Sequence, residues 1–361
     1  MIIRAKELSF VYEFKEGFIK SSSSESVRED LADEVTSQVH ADEKTGDLTN
    51  IHQLENSTQA KTLPPLSAAT IKRVQEGVAA ASDRAVRLII EETLNRLEAI
   101  NQGDPEPRAN PWLRRFVMRS LIHLLFRVRV EHLKNIPQEP AILAVNHLHH
   151  IDPLLLLGEL PTQPYYYILG DARTLYNKWW KRLILRFTGG VIPLERIWKE
   201  EVAVIKAAKA GREDLVDLAK AIAQTVPTGG DIQTLRQIDR IVLGILAHGD
   251  GMILFPEGRL GTAEGNLHLP LKRGTVIYAL RSGVPIVPVA LIGTHDLYLR
   301  KELTIRVGEP LHFSQTARPK RKEVEGALEA LQNAMLALLP TDYQEPKEPK
   351  MLNHFLNHML W

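Results

Sequence analysis

Cysteine is absent from all 361 residues of the chain. This absence excludes disulfide bonds, thiolate metal sites and cysteine nucleophiles together. It also accords with a reducing compartment, and we therefore expect a cytoplasmic location.

Long apolar runs are absent as well. No stretch reaches the roughly 18–20 apolar residues that span a bilayer, and the best candidate, FVMRSLIHLLFRV, carries Arg119, His123 and Arg127. The first residues, MIIRAKELSFVYEFKEG, are interrupted by charges and lack a signal-peptide core. Any membrane contact is therefore expected to be peripheral or monotopic, on the inner face.

Neither sign of charge dominates the chain. It has 45 Lys and Arg against 44 Asp and Glu, a balance that gives no indication of nucleic-acid binding. Basic residues are concentrated locally, since residues 111–135 contain six Lys or Arg and one Glu. A basic surface of this kind can bind phosphates or an anionic membrane.

Composition divides the chain into four segments. Residues 1–63 are predicted to be variable and disordered, because most of this segment is Ser-rich and acidic. Residues 64–110 are predicted to be a helical extension with one helix over 65–101. The main domain is expected over 111–342, followed by an amphipathic tail at 343–361.

From residue 127 onward, short apolar segments alternate with helical ones. The predicted strands are 128–134, 140–146, 165–169, 190–194, 251–255, 285–292 and 302–307. The predicted helices are 153–160, 174–187, 200–224, 232–248, 273–281 and 321–339. Strands separated by helices indicate an α/β fold with a largely parallel central sheet flanked by helices.

Residues 112–129 are predicted to be an amphipathic helix. Arg115, Arg119, His123 and Arg127 recur at four-residue spacing and form one polar stripe, with apolar side chains largely off it. Such a helix can lie in a membrane interface. The alternative is a helix that packs on the core and exposes its charged face, and the pattern alone leaves both open.

A cluster of polar residues follows the apolar strand AILAV. His147 and Asp152 lie five residues apart across the turn into the next helix, so the carboxylate can reach one imidazole nitrogen and leave the other as a general base. Taken alone, such a pair is more often structural. A zinc site is disfavoured, because no second cluster of ligands with suitable spacing is present, and we expect no metal.

Three further stretches end strands with chemically informative residues. GGVIPLER at 189–196 ends in an arginine, which could be a surface residue or could face the same cleft as His147. MILFPEGRLG at 252–261 combines a glycine turn with Arg259, whose guanidinium matches phosphate oxygens, although a turn stabilised by Glu257 explains it equally. LKRGTVIYALRSGVPIVPVALIG at 271–293 joins a helix to a proline-punctuated strand.

In this order, the four stretches resemble the lysophospholipid (glycerolipid) acyltransferase family, the 1-acylglycerol-3-phosphate acyltransferases. The resemblance covers residues 112 to about 312. The matched residues are Asn146, His147 and Asp152 in N-H-x-x-x-x-D, Gly190, Ile192, Pro193 and Arg196 in G-x-I-P-x-x-R, Phe255, Pro256, Glu257, Gly258 and Arg259 in F-P-E-G with its basic segment, and Val284, Pro285 and Pro288 in V-P-x-x-P.

The resemblance implies the fold of that family and acyl transfer from a thioester to a lysophospholipid, most simply 1-acylglycerol 3-phosphate. His147 is then the general base and Asp152 orients it. No cofactor is implied beyond the co-substrate, which is acyl-CoA or an acyl carrier protein thioester. The residues expected to bind substrate are Arg196 and Arg259 for the phosphate, Arg173 as a weaker candidate, and Gly190, Glu257, Gly258 and Pro288.

Two departures from the family pattern stand out. Arg259-Leu260-Gly261 replaces the usual Thr-Arg-Ser after the motif glycine, and residues at about 199–233 are an insertion. Acylation of glycerol 3-phosphate or another lysolipid, and a non-catalytic lipid-binding relative, remain as alternatives. A hydrolase is disfavoured, because no G-x-S-x-G nucleophile is present.

Overall fold

Seven β-strands form one sheet in the computed structural model, which describes residues 66–100, 109–195, 197–226 and 232–359. The strands are β1 (Arg127–Glu131), β2 (Ile142–Val145), β3 (Tyr166–Asp171), β4 (Val191–Leu194), β5 (Gly251–Leu254), β6 (Ile286–Ile292) and β7 (Glu302–Val307). All seven predicted strands are confirmed, with boundaries that differ by at most three residues. The segment predicted to be disordered, residues 1–63, lies outside the described residues.

The strand order is β1-β7-β6-β2-β5-β3-β4. Every neighbouring pair is parallel except β6 with β7, which confirms the predicted α/β fold. β2 is buried on both faces: Ile142 contributes to the core on one side of the sheet and Leu143 to the core on the other. The carboxyl ends of β2, β3, β4 and β5 consequently lie at one edge of the sheet, where such folds place ligand sites.

The described residues also form twelve α-helices. They are α1 (Ala68–Ser82), α2 (Arg84–Ala99), α3 (Pro111–Leu125), α4 (Asp152–Glu159), α5 (Ala172–Tyr176), α6 (Trp179–Thr188), α7 (Lys199–Lys209), α8 (Val216–Thr225), α9 (Ile232–Ala247), α10 (Gly274–Ser282), α11 (Arg321–Leu338) and α12 (Asn353–His358). Helices α2, α10 and α11 contribute to the core on one face of the sheet, and α3, α4 and α12 to the core on the other.

The single helix predicted over 65–101 is wrong, because the chain forms α1 and α2 instead. Asp83 separates them: its backbone is extended, and its side chain accepts the N–H of Ala85 at 2.8 Å. A local N-cap thus overrides a continuous helical pattern. The helices predicted at 174–187 and 200–224 are each divided in two as well.

The predicted helix 112–129 is shorter than expected. α3 ends at Leu125, Phe126 is extended and fully buried, and Arg127 already belongs to β1. The burial of Phe126 in the sheet core accounts for the early end of the helix. Arg127 therefore does not continue the polar stripe of α3.

The chain divides into two compact units. The smaller contains the described residues of Met1–Ser82 and Arg196–Arg236, with a core that includes Val74, Val204 and Ile222. The larger contains Asp83–Glu195 and Gln237–Trp361, and thus the whole sheet. Among the residues that the structure describes, no helix has both the length and the apolar character needed to cross a bilayer.

Candidate active site

The site begins where β2 ends. Asn146 is buried, and its side chain both donates to the carbonyl of Leu291 at 2.9 Å and accepts the N–H of Leu291 at 2.6 Å. The asparagine side chain thus continues the contact between β2 and β6 beyond the last paired residue, Val145. This contact frees the following backbone to turn away from the sheet toward α4.

His147 and Asp152 meet as the sequence predicts. The imidazole Nδ1 lies 2.9 Å from Asp152 Oδ2, and the same oxygen accepts the N–H groups of Leu148 and His149 at 2.8 and 2.9 Å. Asp152 is completely buried, whereas the His147 side chain keeps 18% of its surface exposed. Because an ionised carboxylate only accepts, Nδ1 carries the proton and Nε2 presents its lone pair.

Three contacts hold the His147 residue in place. Its N–H donates to Glu257 Oε1 at 2.9 Å, its carbonyl accepts the N–H of Gly261 at 2.6 Å, and its ring stacks on Phe255 with centroids 4.1 Å apart. The turn after β5 therefore fixes the loop after β2. A base held in this way is pre-positioned for proton transfer.

Glu257, which is predicted to bind substrate, contacts the backbone of two loops. It is buried, and its second oxygen accepts the N–H of His268 at 2.8 Å, so each carboxylate oxygen accepts a backbone N–H group. Burial raises the pKa of the Glu257 carboxyl, and the two N–H donors act against that rise. Glu257 consequently ties two loops together.

Gly258 and Arg259 complete this turn. Gly258 has φ +66°, a backbone conformation that L side chains rarely adopt, so the position favours glycine. Arg259 is exposed at the carboxyl edge of β5, and its Nη2 donates to His268 Nδ1. A guanidinium therefore lies on the strand next to β2.

Arg173 lies at the same edge of the sheet, in the first turn of α5 after β3. It is almost completely buried, and its charge acts on Glu195, which follows β4. Burial raises the pKa of the Glu195 carboxyl, and Arg173 opposes that rise. Arg173 thus has an electrostatic partner within the fold. Arg196, the other predicted phosphate ligand, lies outside the described residues.

Two residues that are predicted to bind substrate, Gly190 and Pro288, lie away from the edge that carries His147. Gly190 precedes β4 at the amino edge of the sheet, where a Cβ would lie 2.9 Å from Tyr165 Cε1. Pro288 is buried in the middle of β6, opposite Ala144. Each position is closely packed, and substrate binding by these two residues stays a prediction.

The neighbouring histidine, His149, is structural. It is buried, its Nδ1 accepts the N–H of Ile151 at 3.2 Å, and its Nε2 faces the carbonyl of Asn357. Burial lowers the pKa of its imidazole. Within the described residues, no group of three or more histidine or acidic side chains is arranged to hold a metal ion.

Sequence reasoning missed His268 altogether. It contacts both Glu257 and Arg259, but it lies in none of the four motifs. Nothing in its flanking sequence, GNLHLPL, signals this position, since the contacts depend on how the loop returns to the turn after β5.

Comparison with known proteins supplies the family. Residues 127–292 match the model of the Acyltransferase family. This matched domain covers a little under half of the chain. The resemblance predicted from the four motifs is therefore confirmed, and the domain contains every element that positions His147, Asp152 and Glu257.

Relatives of the domain are named as 1-acyl-sn-glycerol-3-phosphate acyltransferases. One from Bacillus subtilis is 24% identical over 220 residues, which cover 59% of this chain and 89% of that protein. One from Cocos nucifera is 30% identical over 83 residues, or 23% of this chain, and the match spans only about a quarter (26%) of that protein's length. The crystal structure of the 1-acyl-sn-glycerophosphate acyltransferase PlsC from Thermotoga maritima is 17% identical, with a TM-score of 0.35, over 74% of this chain and 87% of that one.

Proposed function

We propose that this acyltransferase-family protein transfers a fatty acyl group from an acyl thioester to the free hydroxyl of a lysophospholipid. The preferred acceptor in this proposal is 1-acylglycerol 3-phosphate, which gives phosphatidate. The observation that carries the proposal is the His147–Asp152 pair, 2.9 Å apart at the carboxyl end of β2. The names of the two curated relatives support the choice of acceptor.

The chemistry needs a base and no covalent intermediate. His147 Nε2 removes the proton of the acceptor hydroxyl while that oxygen attacks the thioester carbonyl carbon. The tetrahedral intermediate then collapses, the C–S bond breaks, and the imidazolium returns the proton to the departing thiolate. Asp152 stabilises the imidazolium, as the aspartate of a serine-protease triad does. The absence of cysteine and of a G-x-S-x-G motif supports direct attack.

Arg259 is the proposed ligand of the acceptor phosphate. It is exposed, it lies on the turn that also holds the His147 backbone through Glu257, and its planar donors match phosphate oxygens. Arg196 is retained as a second ligand from the motif match alone. Arg173 is the weakest of the three, because it is buried beside Glu195.

The acceptor is expected to reach the site from an anionic membrane surface. One face of α3 exposes Trp112, Leu113, Phe116, Leu121 and Leu124, each by 41% or more. The opposite face packs against α4, where Gly158 allows the backbone of Arg119 to approach closely. An apolar helix face with a tryptophan near its start suits the headgroup region.

An acyl-transfer assay with purified protein tests the proposal. Lysophosphatidate, other lysophospholipids and glycerol 3-phosphate are each offered with acyl-CoA and with an acyl carrier protein thioester. We expect the fastest transfer to lysophosphatidate, unaffected by a chelator. Thioester hydrolysis without transfer, or preference for an acceptor that lacks a phosphate monoester, would contradict the proposal.

A further inference from the structure

His268 lies beside the proposed phosphate ligand. Arg259 Nη2 donates to His268 Nδ1, although nine residues separate the two in sequence. Arginine has donors only, so Nδ1 must be the unprotonated nitrogen of a neutral imidazole. The histidine therefore holds the guanidinium as a hydrogen-bond acceptor.

The backbone of His268 is itself fixed to the catalytic loop. Its N–H donates to Glu257 Oε2 at 2.8 Å, and Glu257 Oε1 accepts the N–H of His147 at 2.9 Å. A continuous chain of hydrogen bonds thus joins the base to the phosphate ligand. Its members are His147, Glu257, His268 and Arg259.

We infer that His268 is a positioning residue, which holds Arg259 ready for the acceptor phosphate at a set distance from His147. The inference rests on the function proposed above. An exposed arginine without a partner samples many rotamers, and ordering it weakens binding when a ligand arrives. A guanidinium that is already oriented avoids that cost.

The charged groups around His268 make its role sensitive to protonation. Arg259 faces its ring, Glu257 accepts its N–H, and the side chain of Lys272 lies beside Gly258. A protonated imidazole cannot accept from Arg259 and places a second positive charge beside it. Protonation of His268 should therefore weaken acceptor binding.

Steady-state kinetics of His268→Ala test the inference. Loss of one hydrogen bond should raise KM for lysophosphatidate about two- to tenfold and raise Ki for inorganic phosphate as a competitive inhibitor by a similar factor. We expect kcat and KM for the thioester to stay near the wild-type values. His268→Gln supplies an amide oxygen as acceptor and should restore part of the loss.

Two controls separate positioning from stability. His248 is exposed and precedes β5 at the amino edge of the sheet, so His248→Ala should leave both KM values unchanged. In Arg259→Ala, the further change His268→Ala should add nothing, because the positioned group is gone.

The outcomes distinguish the inference from the proposed function. A wild-type protein that transfers no acyl group to lysophosphatidate would refute the function. An active wild type whose His268→Ala variant loses kcat alone, matches His248→Ala, or remains additive with Arg259→Ala would refute the role of His268. A KM for lysophosphatidate that rises at acidic pH in wild type and less in His268→Gln would support it.

Discussion

Helix α4 carries a buried carboxylate at each end, and each is paired with a histidine. At its start, Asp152 lies 2.9 Å from His147, and at its end, Glu159 lies 2.6 Å from His123. Both carboxylate side chains are at most 3% exposed, and both histidines reach solvent, with 18% and 37% of their side-chain surface exposed. Pair geometry alone therefore does not distinguish them.

Their other partners do distinguish them. Asp152 also accepts two backbone N–H groups from the loop that leaves β2, so the pair is part of a turn at the carboxyl edge of the sheet, where such folds place ligand sites. Glu159 instead binds Arg119, which lies on α3 with His123. The second pair thus joins two helices. A histidine–carboxylate contact becomes a candidate for catalysis through its place in the fold.

Truncation of the two histidines to alanine should affect activity very differently. His147→Ala removes the proposed base and should reduce kcat/KM by about 10²–10⁴-fold, the usual size of a base contribution. The fold should survive, because Glu257 and Gly261 contact only the backbone of His147. His123→Ala should leave kcat within about twofold, since it removes a helix contact of a kind that adds little to catalysis. Comparable activity losses in both variants would show that the two histidine–carboxylate pairs do not differ in function as proposed.

The carboxylates provide a second contrast. Asp152→Asn can donate to Nδ1 and so favour the wrong tautomer, and we expect kcat to fall at least about tenfold. Glu159→Gln should keep turnover but weaken the attachment of α3 to α4, because Arg119 and His123 lose a charged partner. Single-turnover rates and amide hydrogen exchange across α3 measure the two effects. Faster exchange in Asp152→Asn with unchanged turnover would reverse the assignments.

Glu257 sharpens the comparison, because it acts on His147 without touching the imidazole nitrogens. In Glu257→Gln only one side-chain atom still accepts, so one buried N–H of His147 or His268 loses its partner, at a cost of about 1–3 kcal/mol. We expect a lower melting temperature and a smaller loss of kcat than in Asp152→Asn. Glu264→Gln is the control, since Glu264 also accepts a backbone N–H but from His295. A Glu257→Gln variant with wild-type stability would contradict the role of Glu257 in tying the two loops together.

The strands were predictable because each one is determined by a short local run of the sequence. Each is a short run rich in Val, Ile and Leu, bounded by turn residues, and the mostly parallel sheet follows from their alternation with helices. The helix boundaries failed where a single residue outweighs periodicity, as Asp83 does between α1 and α2. The places of Gly190 and Pro288 in the sheet could not be predicted, because membership in a motif does not say which edge of the sheet a residue occupies.

The site was predictable only where its members are close in sequence. His147 and Asp152 are five residues apart, so the turn between them could be reasoned about directly. Glu257 reaches His147 across 110 residues, and His123 reaches Glu159 across 36. Such contacts depend on which strands are neighbours and on how helices pack, and neither is encoded in a local pattern.

The last comparison concerns the outer face of α3. Because Arg119 and His123 tie the inner side of α3 to α4, and Arg127 belongs to β1 with Glu348 nearby, the arginine stripe is less available to lipid than its spacing suggests. Docking should then depend mainly on the exposed apolar side chains. Changing Trp112, Phe116 and Leu124 together to Ser should weaken flotation with anionic vesicles at least about tenfold, given roughly 25 cal/mol per Å² of apolar surface.

Two exposed leucines outside α3 supply a control for that flotation experiment. Leu88 on α2 and Leu336 on α11 are 53% and 42% exposed, so changing both to Ser removes apolar surface away from α3 and should leave flotation unchanged. High salt should weaken wild-type flotation only in part, because an apolar contribution does not depend on ionic strength. Equal flotation of the triple variant and wild type, or complete release of wild type by salt, would indicate that charged side chains dock the protein and the apolar ones do not. The His123–Glu159 pair would then hold a helix whose exposed face has no part in lipid binding.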